Sequence, residues 1–275
     1  MCRSVTDNAL FIPTLTLAHF TLTVSSRCAC ANSCYVSLPS SISNLSKQVM
    51  PGVVSTVPDF GIAILAGGSS SRMGIPKHLL TDVDGIPMYL SQLRMLHNTF
   101  PDAKHLCIMV QNESQRATIS IPRDVDARVL SQETLGREVG QTGPATAVFS
   151  ASTFDHTCHW LIVPCDYPLL AGSELRHLCI KYRDPVTCFR NGNGEIEPLV
   201  AMWNPEALSH IDIRTMRTRD DLSVLIERLA GTKISPVYDH SLFNTNTKED
   251  WDDAMQLLLQ SRINHLPDQS SDYDV

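Results

Sequence analysis

Two cations and a glycine pair stand close together in the stretch Ile62–Leu80, IAILAGGSSSRMGIPKHLL. The apolar run Ile62-Ala63-Ile64-Leu65 reads as a buried strand. It breaks at Ala66-Gly67-Gly68, where the chain can turn tightly and leave no side chain in a ligand's way. Ser69, Ser70 and Ser71 follow, then Arg72, Gly74 and Lys77. Amides of such a turn point at phosphate oxygens while Arg72 and Lys77 neutralise charge, so the ligand class it suits is a polyphosphate. No Gly-Lys-Ser/Thr follows four spacer residues, which excludes a phosphate loop of the NTPase type. Adjacent glycines exclude the GxGxxG dinucleotide fingerprint. An ordinary turn with surface cations competes, and two cations with three hydroxyls at one strand end weigh against it.

A carboxylate is the next group able to do chemistry. Asp166 closely follows the apolar run His159–Val163, which places it at the carboxyl edge of a sheet. There it can hold Mg²⁺, which needs only one or two protein oxygens beside phosphates, or it can cap a helix after Pro168. Asn244 and Asn246 precede Thr247-Lys248-Glu249-Asp250, a pattern similar to a capping box. Arg214, Arg217 and Arg219 form a basic patch that could receive an anionic acceptor; the solvated start of a helix is the reading adopted. The histidines are dispersed without HExxH, which disfavours a His-based metal site. The serines of the loop lie outside GxSxG, which disfavours a hydrolase nucleophile.

The elements that must position these groups alternate. Strands are expected at Ile62–Leu65, Leu106–Val110, Asp126–Leu130, His159–Val163, Val186–Phe189, Glu197–Trp203 and Ile234–Tyr238. Helices are expected from Pro87 at the first position, with Tyr89, Leu93, Leu96 and Phe100 on one face, and from Gly143-Pro144 through Phe154. Others carry Leu175, Leu178, Cys179 and Tyr182, then Pro205–Ile211, Asp220–Leu229 and a last one with Trp251, Met255 and Leu258 inward. Ser131–Thr142 is polar and Gly-punctuated, a loop over the site. Asn191-Gly192-Asn193-Gly194 turns the chain back as an antiparallel excursion. The sum is an α/β fold, a doubly wound, mostly parallel Rossmann-like sheet with ligands at the carboxyl ends of its strands.

Composition sets the bounds. The chain has 275 residues, 43% of them hydrophobic, and a net charge of −7. Nothing there favours nucleic-acid binding, and no apolar run reaches the roughly 18 residues of a membrane span. Nine cysteines without a CxxC pair fit a reduced, intracellular protein. Residues 1–49 carry one acidic residue, Asp7, and are rich in Ser, Thr and Cys. They are open to three readings: transit-peptide-like, a weak signal-like segment, or non-native sequence ahead of a start at Met50. The expected division is an extension over 1–57, a catalytic domain over 58–261 and a flexible tail over 262–275. The expected location is cytoplasmic, with mitochondrial targeting by residues 1–49 as the alternative.

The segment Leu65-Ala-Gly-Gly-Ser-Ser-Ser-Arg-Met-Gly74, with Lys77 after two further residues, resembles the signature loop of the nucleotidyltransferases. Within that superfamily it most resembles the MobA-like molybdenum cofactor guanylyltransferases, over about residues 60–260. Leu161-Ile-Val-Pro-Cys-Asp-Tyr-Pro168 is similar to the family's PCDxP motif, and Phe-Asn-Thr-Asn-Thr (243–247) to its NxNTPE segment. The resemblance implies a nucleotide-diphospho-sugar transferase type of fold and transfer of GMP from GTP to molybdopterin with Mg²⁺. It implies Lys77, Arg72 and Asp166 as catalytic residues. Nucleotide binding falls to Leu65, Ala66, Gly67, Gly68, Ser69, Lys77, Gly143 and Asp166, and metal binding to Asp166 and Asn246.

Three departures from the family pattern bear on the substrates. The family's Asp ahead of the Gly143-Pro144 turn is missing; Leu130-Ser131-Gln132-Glu133 occupies its place. Glu197 stands where the family's acceptor strand carries His, and Lys248 replaces a usual proline. Cytidylyl transfer, or transfer to a sugar or metabolite phosphate, therefore stays open beside guanylyl transfer. A non-catalytic homologue that binds a nucleotide or cofactor precursor is the alternative of another class.

Overall fold

The computed structural model describes residues 58–68, 74–133, 143–216 and 218–264. Strand β1 (Phe60–Leu65) lies centrally. Its register pairs Ile62 with Leu106 of β2 (His105–Val110) on one side and with Leu161 of β4 (His159–Pro164) on the other, both parallel. Continuous apolar runs suit such strands, because helices cover both faces of the sheet. Strand β3 (Arg128–Ser131) continues beyond β2. On the other side follow β6 (Ile196–Trp203), β5 (Val186–Arg190) and β7 (Thr232–Ile234), giving the order β3-β2-β1-β4-β6-β5-β7. Among the described strands β6 alone runs against the rest, pairing antiparallel with both β4 and β5.

The period-2 alternation of β1 divides the core. Ile62 and Ile64 pack toward α1 (Met88–Thr99) and α4 (Gly172–Ile180), in one cluster with Leu93, Leu96, Leu175 and Leu178. Ala63 and Leu65 face α3 (Pro144–Phe154) and α6 (Arg219–Arg228), with Ala145, Val148, Ala151, Leu222 and Leu225. Each leucine buried in full contributes about 1.5–3 kcal/mol. Gly61 is dictated by packing, since a Cβ there would lie 2.8 Å from the Trp160 ring. Two short helices, α2 (Glu113–Arg116) and α5 (Pro205–Ser209), and the terminal α7 (Lys248–Asn264) complete the described chain.

The doubly wound, mostly parallel fold and its antiparallel excursion are as expected. Some bounds move. Pro87 caps α1 rather than opening it, which leaves its missing N–H harmless. Strand β3 begins two residues later than expected, where its register with Cys107–Val110 starts. The last strand is Thr232–Ile234 rather than Ile234–Tyr238. Pro236 has no N–H for a ladder, and the amides of Val237 and Tyr238 donate instead to the buried Glu174 carboxylate, each at 2.9 Å. Helix α5 ends at Ser209, and α7 runs to Asn264, into the segment read as tail.

Candidate active site

The strand ends converge on a cavity of about 340 Å³. Its walls include Leu65, Ala66, Gly67, Gly68, Lys77, Gly143 and Asp166, with Gln111, Gln132, Pro144, Ala147, Pro164, Cys165 and Leu199. Hydrogen bonds carry the ladder one residue past the strands and fix where each loop departs. Ala66 N donates to Met109 O at 2.9 Å, Gln132 N to Val110 O at 3.0 Å and Cys165 N to Leu65 O at 3.1 Å. Gly68 has a φ of 135°, which L side chains rarely adopt, and a Cβ there would meet nothing within 4 Å. The turn thus offers bare backbone to the open space beside it. The Gln115 side chain ties two loops, accepting from Gln111 N at 2.8 Å and donating to Gly68 O at 3.1 Å. Helix α3 points its N-terminus at the same cavity, with Gly143 as cap and Pro144 as first residue.

Lys77 joins the loops. Its ammonium donates to Asp166 Oδ2 at 2.8 Å and to Asn246 Oδ1 at 3.0 Å. Its neighbour His78 is buried and anchors the short 3₁₀ turn Lys77–Leu79 through Nε2 and Thr118 Oγ1, 3.1 Å apart; burial lowers its pKa. The Asp166 loop is held by Thr245, whose N and Oγ1 donate to Asp166 O at 3.0 and 3.1 Å. Asp250 accepts from Asn246 N at 2.9 Å and Thr247 N at 2.8 Å, and Asp250 N donates to Thr247 Oγ1 at 3.1 Å, so the expected capping box is formed. Asp166 and Asn246, far apart in sequence, thereby present oxygens to a single cation.

Ser69, Arg72, Arg217 and most of the Ser131–Thr142 loop lie outside the described residues. Of the basic patch, the two described arginines each have a carboxylate partner. Exposed Arg214 turns to Asp212 at 3.3 Å, and Arg219 pairs with Glu197 at 2.7 Å. Glu133 is exposed and accepts from Glu113 N at 3.2 Å, and of the stretch Leu130–Glu133 it is Gln132 that lines the cavity.

Sequence reasoning missed Gln111 and Gln132 as parts of the cavity wall. Each directly follows a strand end, the same signal that singled out Asp166. It also missed a buried network behind the site. Glu197 accepts from the Tyr167 hydroxyl and from Leu199 N at 3.2 Å, while Asn244 Nδ2 donates to the Tyr167 oxygen at 3.0 Å. Burial raises the Glu197 pKa against the opposing pull of Arg219, and burial with the nearby carboxylate raises that of Tyr167.

Fold and site together define a doubly wound α/β protein with a pocket at the carboxyl edge of its sheet. Residues 62–232 match the family described as MobA-like NTP transferase domain, and the chain belongs to that family. It is an enzyme of the nucleotidyltransferase class. A protein of Rhodopirellula baltica named probable molybdenum cofactor guanylyltransferase is 26% identical over 180 residues, 59% of this chain and 81% of that one. One of the same name from Carboxydothermus hydrogenoformans is 27% identical over 205 residues, 71% and 95% of the two chains. The crystal structure of molybdopterin-guanine dinucleotide biosynthesis protein A from Archaeoglobus fulgidus is 20% identical, with a TM-score of 0.55, over 73% of this chain and all of that one. Among the described residues no helix is long and apolar enough to cross a membrane.

Proposed function

We propose that the protein transfers GMP from GTP to the terminal phosphate of molybdopterin and releases pyrophosphate, with Mg²⁺ as cofactor. The observation that carries this reading is the convergence of Asp166 and Asn246 on one ammonium beside the Gly67-Gly68 turn. Two hard oxygens around one cation fit Mg²⁺, which takes few protein oxygens and completes its shell with water and phosphate. Bound there, the metal would supply Lewis-acid neutralisation of phosphate charge.

In this reading an oxygen of the acceptor phosphate attacks the α-phosphorus of GTP in line. The bond to the bridging β-phosphate oxygen breaks, and pyrophosphate leaves with its electron pair. Lys77 balances charge on the transferring group. Arg72, with the amides of Gly67, Gly68 and Ser69, holds the leaving pyrophosphate. No covalent enzyme intermediate is required, so positioning and charge stabilisation supply the rate. The names of the relatives support GTP and molybdopterin as the substrates.

One observation favours a second reading with the same chemistry and another base. Gln132 places an uncharged amide in the cavity wall, within the stretch where the family resemblance leads one to expect a carboxylate, and its Oε1 has no partner among the described residues. The test is pyrophosphate release with Mg²⁺, molybdopterin and each of GTP, CTP, ATP and UTP. Release with GTP alone supports the guanylyl reading, and release with CTP changes the nucleotide. Nucleotide binding without release by any of the four overturns both readings and sends the search to another phosphorylated acceptor or to a non-catalytic role.

A further inference from the structure

Glu197 is a buried carboxylate, its side chain 4% exposed, on the antiparallel strand β6. It touches three parts of the site at once. Oε1 accepts from the amide of Leu199 in the cavity wall. Oε2 accepts from the hydroxyl of Tyr167, the residue after Asp166. The Arg219 guanidinium pairs with the same oxygen at 2.7 Å and also donates to Ile196 O at 3.3 Å. The tyrosine hydroxyl has one proton to donate, and the hydrogen bond to the carboxylate uses it. Its oxygen is then left as an acceptor, which dictates that Asn244 presents Nδ2 to it. Asn244 Oδ1 remains buried without a partner among the described residues. Asn244 stands two residues ahead of Asn246. The chain Glu197–Tyr167–Asn244 thus pins the Asp166 loop to the Asn246 loop from behind.

Stability alone gives a weak account of this network. A buried ion pair is often no more stabilising than apolar residues of similar volume, whereas its fixed directions can specify one geometry. We propose that Glu197 is a positioning residue, which through Tyr167 and Asn244 holds the Asp166 and Asn246 oxygens at the spacing that binds a divalent cation. This rests on the functional reading above, in which those two oxygens hold the metal. Glu197, Tyr167 and Asn244 are not among the residues that line the cavity, so loss of the network is expected to fall on metal affinity ahead of nucleotide affinity.

The experiment is a Mn²⁺ titration of the full chain, following the EPR signal of free Mn²⁺, with GTP binding in metal-free buffer and thermal melting measured on the same samples. Glu197→Gln keeps an acceptor for Leu199 N and loses the charge. It is expected to weaken Mn²⁺ binding about tenfold, the usual scale for residues that orient metal ligands, with metal-free GTP binding unchanged. Tyr167→Phe removes only the hydroxyl and is expected to weaken Mn²⁺ binding in the same direction, so it carries the test where Glu197→Gln leaves Arg219 unpaired and the chain unfolded. Mn²⁺ affinity equal to wild type in a folded variant overturns the inference. Parallel loss of Mn²⁺ affinity, metal-free GTP affinity and melting temperature also overturns it, as a general structural effect. A wild-type chain that binds GTP and no Mn²⁺ instead overturns the functional reading on which it rests.

Discussion

The Lys77 ammonium sits 2.8 Å from Asp166 Oδ2, and both side chains are 20% exposed. The same ammonium reaches Asn246. One cation in the cavity wall therefore bridges the loop after β4 to the loop ahead of α7. Asp166→Asn keeps the shape and removes the charge. It is expected to lower pyrophosphate release by about 10²–10³-fold, the scale for losing one preorganised electrostatic group. Lys77→Met is expected to lower kcat by a similar factor. The double variant is expected to be little worse than the poorer single one, because groups acting as a unit are not additive. Turnover by Asp166→Asn at the wild-type rate would remove this carboxylate from the mechanism.

Gln132, in the cavity wall, offers a test of base choice. A carboxamide offers one acceptor and one donor, whereas a carboxylate offers only acceptors. The Watson–Crick edge of guanine carries two neighbouring N–H donors, and the other three bases each set an acceptor beside their donor. Gln132→Glu is therefore expected to favour GTP over ATP, CTP and UTP by about tenfold relative to wild type, within the 1–3 kcal/mol typical of a bidentate base contact. Competition among the four nucleotides, read by pyrophosphate release, measures this. An unchanged preference would show that Gln132 does not face the base.

The parts of this molecule visible in the sequence are those that local pattern controls. Strands β1, β2 and β4 are continuous apolar runs because both of their faces are covered, and Asp166 stood out because it follows one of them. The order of strands is a tertiary matter that no run of residues encodes. Strand β7 was misplaced because the amides of Val237 and Tyr238 are satisfied by Glu174, more than sixty residues earlier. The pairing of Arg219 with Glu197 likewise joins residues 22 apart across a strand and a helix, so no local pattern showed that Arg219 has a buried partner. Asn246 entered the site by family resemblance, and its spacing from Lys77 is legible only once the chain is folded.

Burial governs the cysteines. Cys107, Cys179 and Cys188 have their pKa values pushed up to about 12 by desolvation, and burial raises Cys165 and Cys158 as well. The thiolate is the reactive form. Native protein treated with iodoacetamide at about pH 8 is expected to remain unalkylated at these five positions, with full reaction only after denaturation. Peptide mass spectrometry reads each site separately. Rapid native labelling of Cys165, which borders the cavity, would contradict the buried placement.

Asp155 predicts a pH dependence of stability far from the site. It follows α3, and its carboxylate accepts from Lys104 Nζ at 2.8 Å, Thr157 Oγ1 at 2.7 Å and Thr157 N at 3.0 Å; His105 Nε2 lies 2.9 Å away. Lys104 first, then Thr157 and His105, hold its pKa well below the ordinary 3.8. A carboxyl depressed by folding stabilises the native state above its unfolded pKa, and that contribution fades as pH falls toward the folded value. The Lys104 side chain is exposed, so solvent screens its share. Asp155→Asn is expected to lower Tm at neutral pH by about 2–8 °C, as 1–2 kcal/mol does in a domain of this size. The gap between variant and wild type is expected to hold down to about pH 5 and to narrow progressively through 3.8 and below. Melting curves across that range decide it, and a gap of constant size down to acid pH would assign the loss to packing instead of charge.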